Sequence, residues 1–161
     1  MKKLIFSLMM ILLGVTSAFA VIDKYSINRN DLPEEARNML SDYFPKAKVS
    51  MIKVDRHLLK KTDYDVRLVN GTRIEFSNKG RWTMVDCGKR ALPATLPPAA
   101  VRRYVDKNYP RLKMVRIERS ASAVDVTLSD GVRLRFGPLG NFKEVLGSVS
   151  SRSFDGEIVQ N

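Results

Sequence analysis

The chain repeats itself, and this limits its possible folds more than any other feature. Residues Asp65-Val66-Arg67-Leu68-Val69-Asn70-Gly71-Thr72-Arg73-Ile74-Glu75-Phe76 match Asp125-Val126-Thr127-Leu128-Ser129-Asp130-Gly131-Val132-Arg133-Leu134-Arg135-Phe136 at an offset of 60. The same offset carries Gly80 to Gly140, Trp82 to Phe142 and Val85 to Val145. Upstream, Leu32-Pro33 answers Leu96-Pro97 at an offset of 64, and Tyr43-Phe44-Pro45 answers Asn108-Tyr109-Pro110 at 65. Such a period points to one supersecondary unit used twice. The drift from 65 to 60 gives the first copy about five extra residues between Pro45 and Asp65, which we expect in a hairpin around His57 to Asp63.

Within each copy the hydrophobic period changes once. Leu-Pro opens a helix, because proline is tolerated where its missing N–H costs nothing. Asn30 or Asp31 is a candidate cap for the first helix and Thr95 for the second. Ala36, Met39, Leu40 and Tyr43 recur at helical spacing, as do Ala100, Val101, Tyr104 and Val105. Pro45 and Pro110 end the helices, since the residue before a proline is pushed out of the α region. The period then becomes two: Val49, Met51 or Ile52, and Val54 suggest one strand, and Tyr64, Val66 and Leu68 the inner side of the next. Asn70-Gly71 and Asp130-Gly131 read as two-residue type I′ turns. Two further strands follow in each copy, the last holding Trp82 and Val85 or Phe142 and Val145. The expected fold class is α+β: two tandem helix-plus-four-strand antiparallel units, too small to bury much core alone, forming one continuous sheet with both helices on one face.

The ends of the chain set its compartment and layout. Lys2 and Lys3, the apolar run Leu4 to Val15 and Ala18-Phe19-Ala20 read as a cleavable signal peptide. Its apolar core of about a dozen residues is shorter than the ~20 that span a bilayer. The expected organisation is a signal peptide at 1–20, a first repeat at 21–88, a linker at 89–95, a second repeat at 96–147 and a flexible tail at 148–161. The expected location is the periplasm or the exterior. The chain has 28 basic and 17 acidic residues, and loss of the two leader lysines leaves 26 against 17, a charge of +9. That excess favours anionic partners but says nothing of fold. Cys87 is the single cysteine, so no intrachain disulfide can form, and a buried small hydrophobe at a strand end is its expected role.

The order Leu-Pro, amphipathic helix, Tyr-Phe-Pro, Tyr-x-Val-x-Leu, Asn-Gly, Ile-x-Phe, Gly, then Trp82 and Val85-Asp86-Cys87 resembles the PepSY-like periplasmic proteins of Gram-negative bacteria. The resemblance covers Val21 to about Val145 and implies a fold like that of β-lactamase-inhibitor protein, with sheets combined into one concave surface. It further implies a secreted binding module with peptide-binding or inhibitor-like roles. The disulfides of the inhibitor itself have no counterpart here.

No catalytic, cofactor-binding or metal-ligating set is expected, and therefore no enzyme. A nucleophilic triad needs a base, and the only histidine, His57, falls in the extra hairpin without a counterpart in the second copy. One histidine and one cysteine give no spaced ligand cluster, and the repeated glycines belong to turns rather than to a phosphate loop. Asp65 and Asp125 recur on the solvent side of strands, where a solvated or ion-paired role is expected. The candidate binding surface is Arg67, Arg73, Glu75, Trp82, Thr127, Arg133, Arg135 and Phe142. Its charged members form either a basic surface or a polar face held by cross-strand pairs such as Arg67–Glu75. Trp82 and Phe142 either anchor a partner or pack inward. The expected partner is an envelope protein or peptide, with anionic lipid head groups or polysaccharide as the alternative. Nucleic acid is not expected.

Overall fold

A computed structural model describes residues 24–55 and 63–148. The signal peptide expected at 1–20, the hairpin tip with His57, and 149–161 of the expected tail lie outside the described residues. Nine strands form a single sheet: β1 (Lys24–Ser26), β2 (Val49–Asp55), β3 (Asp63–Leu68), β4 (Arg73–Phe76), β5 (Trp82–Asp86), β6 (Met114–Arg119), β7 (Val124–Leu128), β8 (Val132–Phe136) and β9 (Phe142–Ser148). They lie side by side in chain order, and every neighbouring pair is antiparallel. Helix α1 (Glu34–Tyr43) precedes β2, and α2 (Ala99–Asn108) is inserted between β5 and β6. The expected α+β class and continuous sheet are what the fold has. Strand β1 was not expected. It is three polar residues long and is fixed by pairing with β2.

Alternation along each strand assigns the two faces. Ile52, Val54, Val66, Leu68, Ile74, Phe76 and Val85 point inward with Ile117, Val126, Leu128, Leu134 and Phe136, all essentially buried. They form one cluster with Leu32, Ala36, Met39 and Leu40 before and along α1 and with Val101 and Val105 of α2, so both helices cover the same face. The choice between Met51 and Ile52 is settled by a bulge between Val49 and Met51 that turns Ile52 inward, and the same bulge recurs between Met114 and Arg116. The length difference also falls where expected. Residues 55–63 separate paired Val54 and Tyr64, whereas only 120–123 separate Arg119 and Val124, five fewer.

Three local expectations need correction. Neither helix is capped by Asn30, Asp31 or Thr95: the cap positions are Pro33 and Pro98, without side-chain hydrogen bonds, and Asn28 instead caps a 3₁₀ turn at Arg29–Asp31. A proline at the cap has no N–H of its own, so the helix start carries one orphan donor fewer. The two caps are 65 residues apart, so Pro98, not Pro97, answers Pro33. The hairpin turns are not type I′, because among the described residues none other than glycine has positive φ. Gly71 N–H bonds to Leu68 O at 2.8 Å and Leu68 N–H to Thr72 O at 2.9 Å, giving a three-residue loop closed by Gly71 at φ 85°. Finally, Ser148, expected to open the flexible tail, pairs with Val132 in β9.

The helix ends follow the expectation. Phe44 and Tyr109 leave the helix at φ −135°, each donating its N–H back to Leu40 O (3.0 Å) and Val105 O (2.7 Å), immediately before Pro45 and Pro110. The segment expected as a linker is held to the core, with Leu92 buried and its N–H on Met114 O at 2.8 Å.

Candidate functional site: the outer face of the sheet

With both helices on the inner side, the opposite face of the sheet is left to its own side chains. One row runs Lys53, Asp65, Glu75, Met84, Glu118, Asp125, Arg135 and Glu144, each opposite the next. A second runs Met51, Arg67, Arg73, Asp86, Arg116, Thr127 and Arg133. The two rows carry six acidic residues (Asp65, Glu75, Asp86, Glu118, Asp125, Glu144) and six basic ones (Lys53, Arg67, Arg73, Arg116, Arg133, Arg135). Of the two possibilities open from sequence, the geometry matches the ion-paired polar face rather than a basic surface.

Three arginines act as rungs. Arg73 Nε lies 3.1 and 3.0 Å from the two Asp65 oxygens, and its Nη2 lies 2.8 Å from Glu75 Oε1. Arg116 joins β5 to β6, with Nη1 on Asp86 Oδ2 at 3.1 Å and Nε on Glu118 Oε1 at 2.7 Å. Arg135 grips Asp125 in two parallel bonds of 2.8 and 2.7 Å, the fork geometry that guanidinium and carboxylate share. These hydrogen bonds, donated to Asp65 and Asp125 respectively, raise the Arg73 and Arg135 guanidinium pKa values above the ordinary value. The sequence-predicted pair Arg67–Glu75 is not formed: Glu75 is taken by Arg73, and Arg67 stands opposite Arg73 in an exposed position.

Two clefts share this face. One, of ≈ 710 Å³, is bounded by Glu75, Thr83, Glu118, Asp125, Arg135 and Glu144, and the other, of ≈ 350 Å³, by Lys53, Asp55, Asp65, Arg73, Glu75 and Thr83. Glu75 and Thr83 form the wall between them, and Met84 is buried at 3% exposure beneath its neighbours.

Of the eight candidate residues, Arg67, Arg73, Glu75, Thr127, Arg133 and Arg135 share the outer face. Trp82 and Phe142 do not: each pairs across the sheet with an inward phenylalanine, Phe76 or Phe136, and packs against the core. Phe142 stacks on Tyr104 of α2 at 4.4 Å and meets Phe136 edge-on. Trp82 carries the Arg119 guanidinium 4.1 Å above its ring. Sequence reasoning missed Asp86, Glu118, Glu144 and Arg119. Asp86 and Glu118 become neighbours only through the β5–β6 pairing across the α2 crossover, which no local periodicity announces. The repeat did hold a signal for Arg119, which occupies the place of Val54 in the first copy.

Cys87 is buried just after β5, as expected, with the Thr72 hydroxyl 3.9 Å from its sulfur, and burial pushes its thiol pKa up. Among the described residues, no three His, Cys, Asp or Glu side chains gather where they could hold a metal ion, and no helix is long and apolar enough to cross a membrane.

Comparison with known proteins gives the chain its relatives. The family described as "Putative beta-lactamase-inhibitor-like, PepSY-like" matches residues 62–144. A "putative periplasmic protein of unknown function" from Bacteroides vulgatus ATCC 8482 is 35% identical, with a TM-score of 0.73 over 77% of this chain and 98% of the other. A second protein of that organism, from the DUF2874 family, is 37% identical, with a TM-score of 0.72 over 78% and 98%. A "putative calcium-regulated periplasmic protein" from Bacteroides thetaiotaomicron is 33% identical, with a TM-score of 0.72 over 76% and 95%. No curated protein matches the chain. With more than half its length matched by the family and identities above 30% across nearly the whole of each relative, this chain belongs to the PepSY-like family.

Proposed function

We propose that the chain is an exported, non-enzymatic binding module of the periplasm that takes a protein or peptide on the outer face of its sheet. One observation carries this reading. The face opposite the helices is lined by two adjoining clefts in which arginine rungs hold Asp65, Glu75, Glu118 and Asp125 at fixed positions. Pre-ordered charges lose little side-chain entropy on association and select partners by complementarity. Export is supported by the signal-like sequence at 1–20 and by the periplasmic character given to the relatives. The matched bulges and element order support reading the two halves as copies of one unit. An inhibitor-like role follows from the family description alone. The calcium regulation named for one relative finds no gathered carboxylate set among the described residues, so no calcium step enters the reading.

A second reading, attraction to anionic envelope material, is favoured by where the remaining positive charge sits. Lys46, Lys48, Lys89, Arg111 and Lys113 are exposed in the loops at the end of the sheet that holds the Gly71 and Gly131 turns. The test is capture of partners from Gram-negative envelope extract at low and high salt. Glu118→Lys with Asp125→Lys should abolish a capture that survives high salt, while Lys48→Glu with Lys113→Glu leaves it intact. The opposite pattern, with capture lost in salt, sinks the sheet-face reading in favour of the loop end.

A further inference from the structure

We propose that the cleft where the two halves meet, between Arg81 and Arg119, is a binding site for an oxyanion, either a carboxylate or a phosphate group. The cleft, of ≈ 340 Å³, is lined by Ser77, Arg81, Trp82, Thr83, Arg119 and Ser120. It goes beyond the sheet-face reading and does not depend on it.

Four observations converge there. Arg119 occupies an inward position of β6, and its counterpart in the first half, Val54, is 4% exposed and packed in the core. Arg119 itself is exposed there and lays its guanidinium on Trp82 instead of entering the core. Next, Arg73, Arg116 and Arg135 are each matched to carboxylates, whereas among the described residues neither Arg81 nor Arg119 makes an ion pair. Arg119 spends only its Nε on a protein acceptor, the Trp82 carbonyl at 3.1 Å, which leaves both Nη groups for a ligand. Third, the two guanidiniums feel each other: partial desolvation, and then the charge of Arg81, lower the Arg119 pKa, while Glu35 and Tyr43 act on it only from a distance. An oxyanion between the two arginines removes that repulsion and receives the forked donors that guanidinium offers to carboxylate and phosphate alike. Last, Ser77, which lines both this cleft and the smaller cleft of the sheet face, holds a buried hydroxyl without a hydrogen-bond partner among the described residues, and an unsatisfied buried hydroxyl is costly. The flat Arg119–Trp82 stack fixes the guanidinium without using its outer edge.

The chain supplies its own probe. Trp82 is its only tryptophan, so emission excited beyond the tyrosine absorption band reports on this cleft. The full chain is titrated with inorganic phosphate, acetate, a short peptide with a free C-terminal carboxylate, and the same peptide amidated, each against sodium chloride at matched ionic strength. We expect a saturable change in emission with phosphate or with the free-carboxylate peptide, and none with the amidated peptide or chloride. Preference between the first two tells which source of oxyanion the site takes. Arg81→Ala and Arg119→Gln should each weaken binding by about tenfold or more, while Arg119→Lys retains part of it and Arg102→Ala, on α2, retains all. Both weakened variants are checked for an unchanged thermal unfolding curve, because either side chain lies at the rim of the fold. Emission that follows ionic strength alone, or wild-type affinity in folded Arg81→Ala and Arg119→Gln, overturns the assignment. Isothermal calorimetry on the same series decides the matter if the emission of the stacked indole is insensitive.

Discussion

The two halves of the sheet solve one electrostatic problem in two ways. Asp65 and its counterpart Asp125 occupy the same place on β3 and β7, and both are gripped by an arginine of the following strand. In the second half the arginine stands directly opposite, Arg135 facing Asp125. In the first half that place holds Glu75, which faces Asp65 as a like charge. The grip comes instead from Arg73, two residues earlier, reaching diagonally to neutralise both carboxylates. What persists between the halves is the satisfied aspartate, not the position of its partner. The inner side differs in the same manner. The second half closes its core with Tyr104 stacked on Phe142 and both edge-on to Phe136, while the first half places Met39 where α2 has Tyr104 and turns its one tryptophan toward Arg119. The edges also differ: β5 is covered by β6, whereas its counterpart β9 ends the sheet.

The largest test of this difference is in the aromatic core. Phe76→Ala and Phe136→Ala each empty a fully buried site and should cost about 3–5 kcal/mol. Phe136→Ala should cost the more by roughly 0.5–1.5 kcal/mol, because it also removes two edge-on ring contacts. Urea unfolding monitored by circular dichroism ranks them, and equal midpoints would break the claim that the second half depends on its aromatic cluster.

Next in size come the glycines against which the helices rest. A Cβ at Gly80 would lie 2.9 Å from the Ala36 backbone nitrogen, and at Gly140 2.8 Å from the Ala100 side chain, both at positive φ. Gly71 has the same φ with open space around it. Gly71→Ala should therefore cost only the backbone strain, about 1–2 kcal/mol. Gly140→Ala should cost more, and Gly80→Ala the most, since its Cβ would also meet Pro33 at 2.9 Å and Glu35 at 3.2 Å, whereas Gly140 has the one close contact. Thermal unfolding of the three variants tests the order.

This order also shows how far the sequence could be read. The breaks at Pro45 and Pro110 and the inner-face residues Val66, Ile74, Phe76 and their counterparts were legible because each rests on local spacing. The turn type was misread because Asn70-Gly71 was taken as the two central residues, when Val69 shares the loop and Gly71 alone takes positive φ. The outer ladder was half legible. Asp65 and Asp125 were expected to be solvated or ion-paired, but which arginine reaches which carboxylate depends on strand register. The Arg116 rung also needs the β5–β6 pairing, which is formed only after α2 has crossed over. Arg81 and Arg119 are 38 residues apart and on different elements, so nothing in their spacing joined them.

The ladder itself gives the next smaller effect. Arg73→Met leaves Asp65 and Glu75 facing each other unneutralised, whereas Arg135→Met leaves Asp125 facing an apolar side chain. Like charges directly opposite destabilise a strand pair, so Arg73→Met should be the more harmful, and the more rescued by salt. The loss stays within about 1 kcal/mol because the side chain is 44% exposed and its pairing is screened. Unfolding midpoints at low and high sodium chloride measure it, and equal salt responses in the two variants would dissolve the contrast between the halves.

The smallest effect belongs to a place where the halves differ by a single thiol. Cys87 has Gly147 as its counterpart, so only the first half holds an ionisable group at this strand end. Burial raises its pKa above the ordinary 9.0, against the opposing hydrogen bond from Thr72 and the charge of Arg90. Below pH 9 the thiol is protonated in both folded and unfolded chains and its titration leaves stability unchanged. As the pH rises past that value the unfolded chain ionises first, so stability falls by up to about 1.4 kcal/mol per pH unit until the folded thiol also ionises. Cys87→Ala should lower stability at neutral pH by removing buried sulfur, yet lose less on going from pH 8 to pH 10. Subtracting the two urea midpoints across that range cancels the lysines and tyrosines common to both chains. If the two curves run parallel, the thiol is not held protonated by the fold, and the first half gains no alkaline sensitivity from the residue that sets it apart.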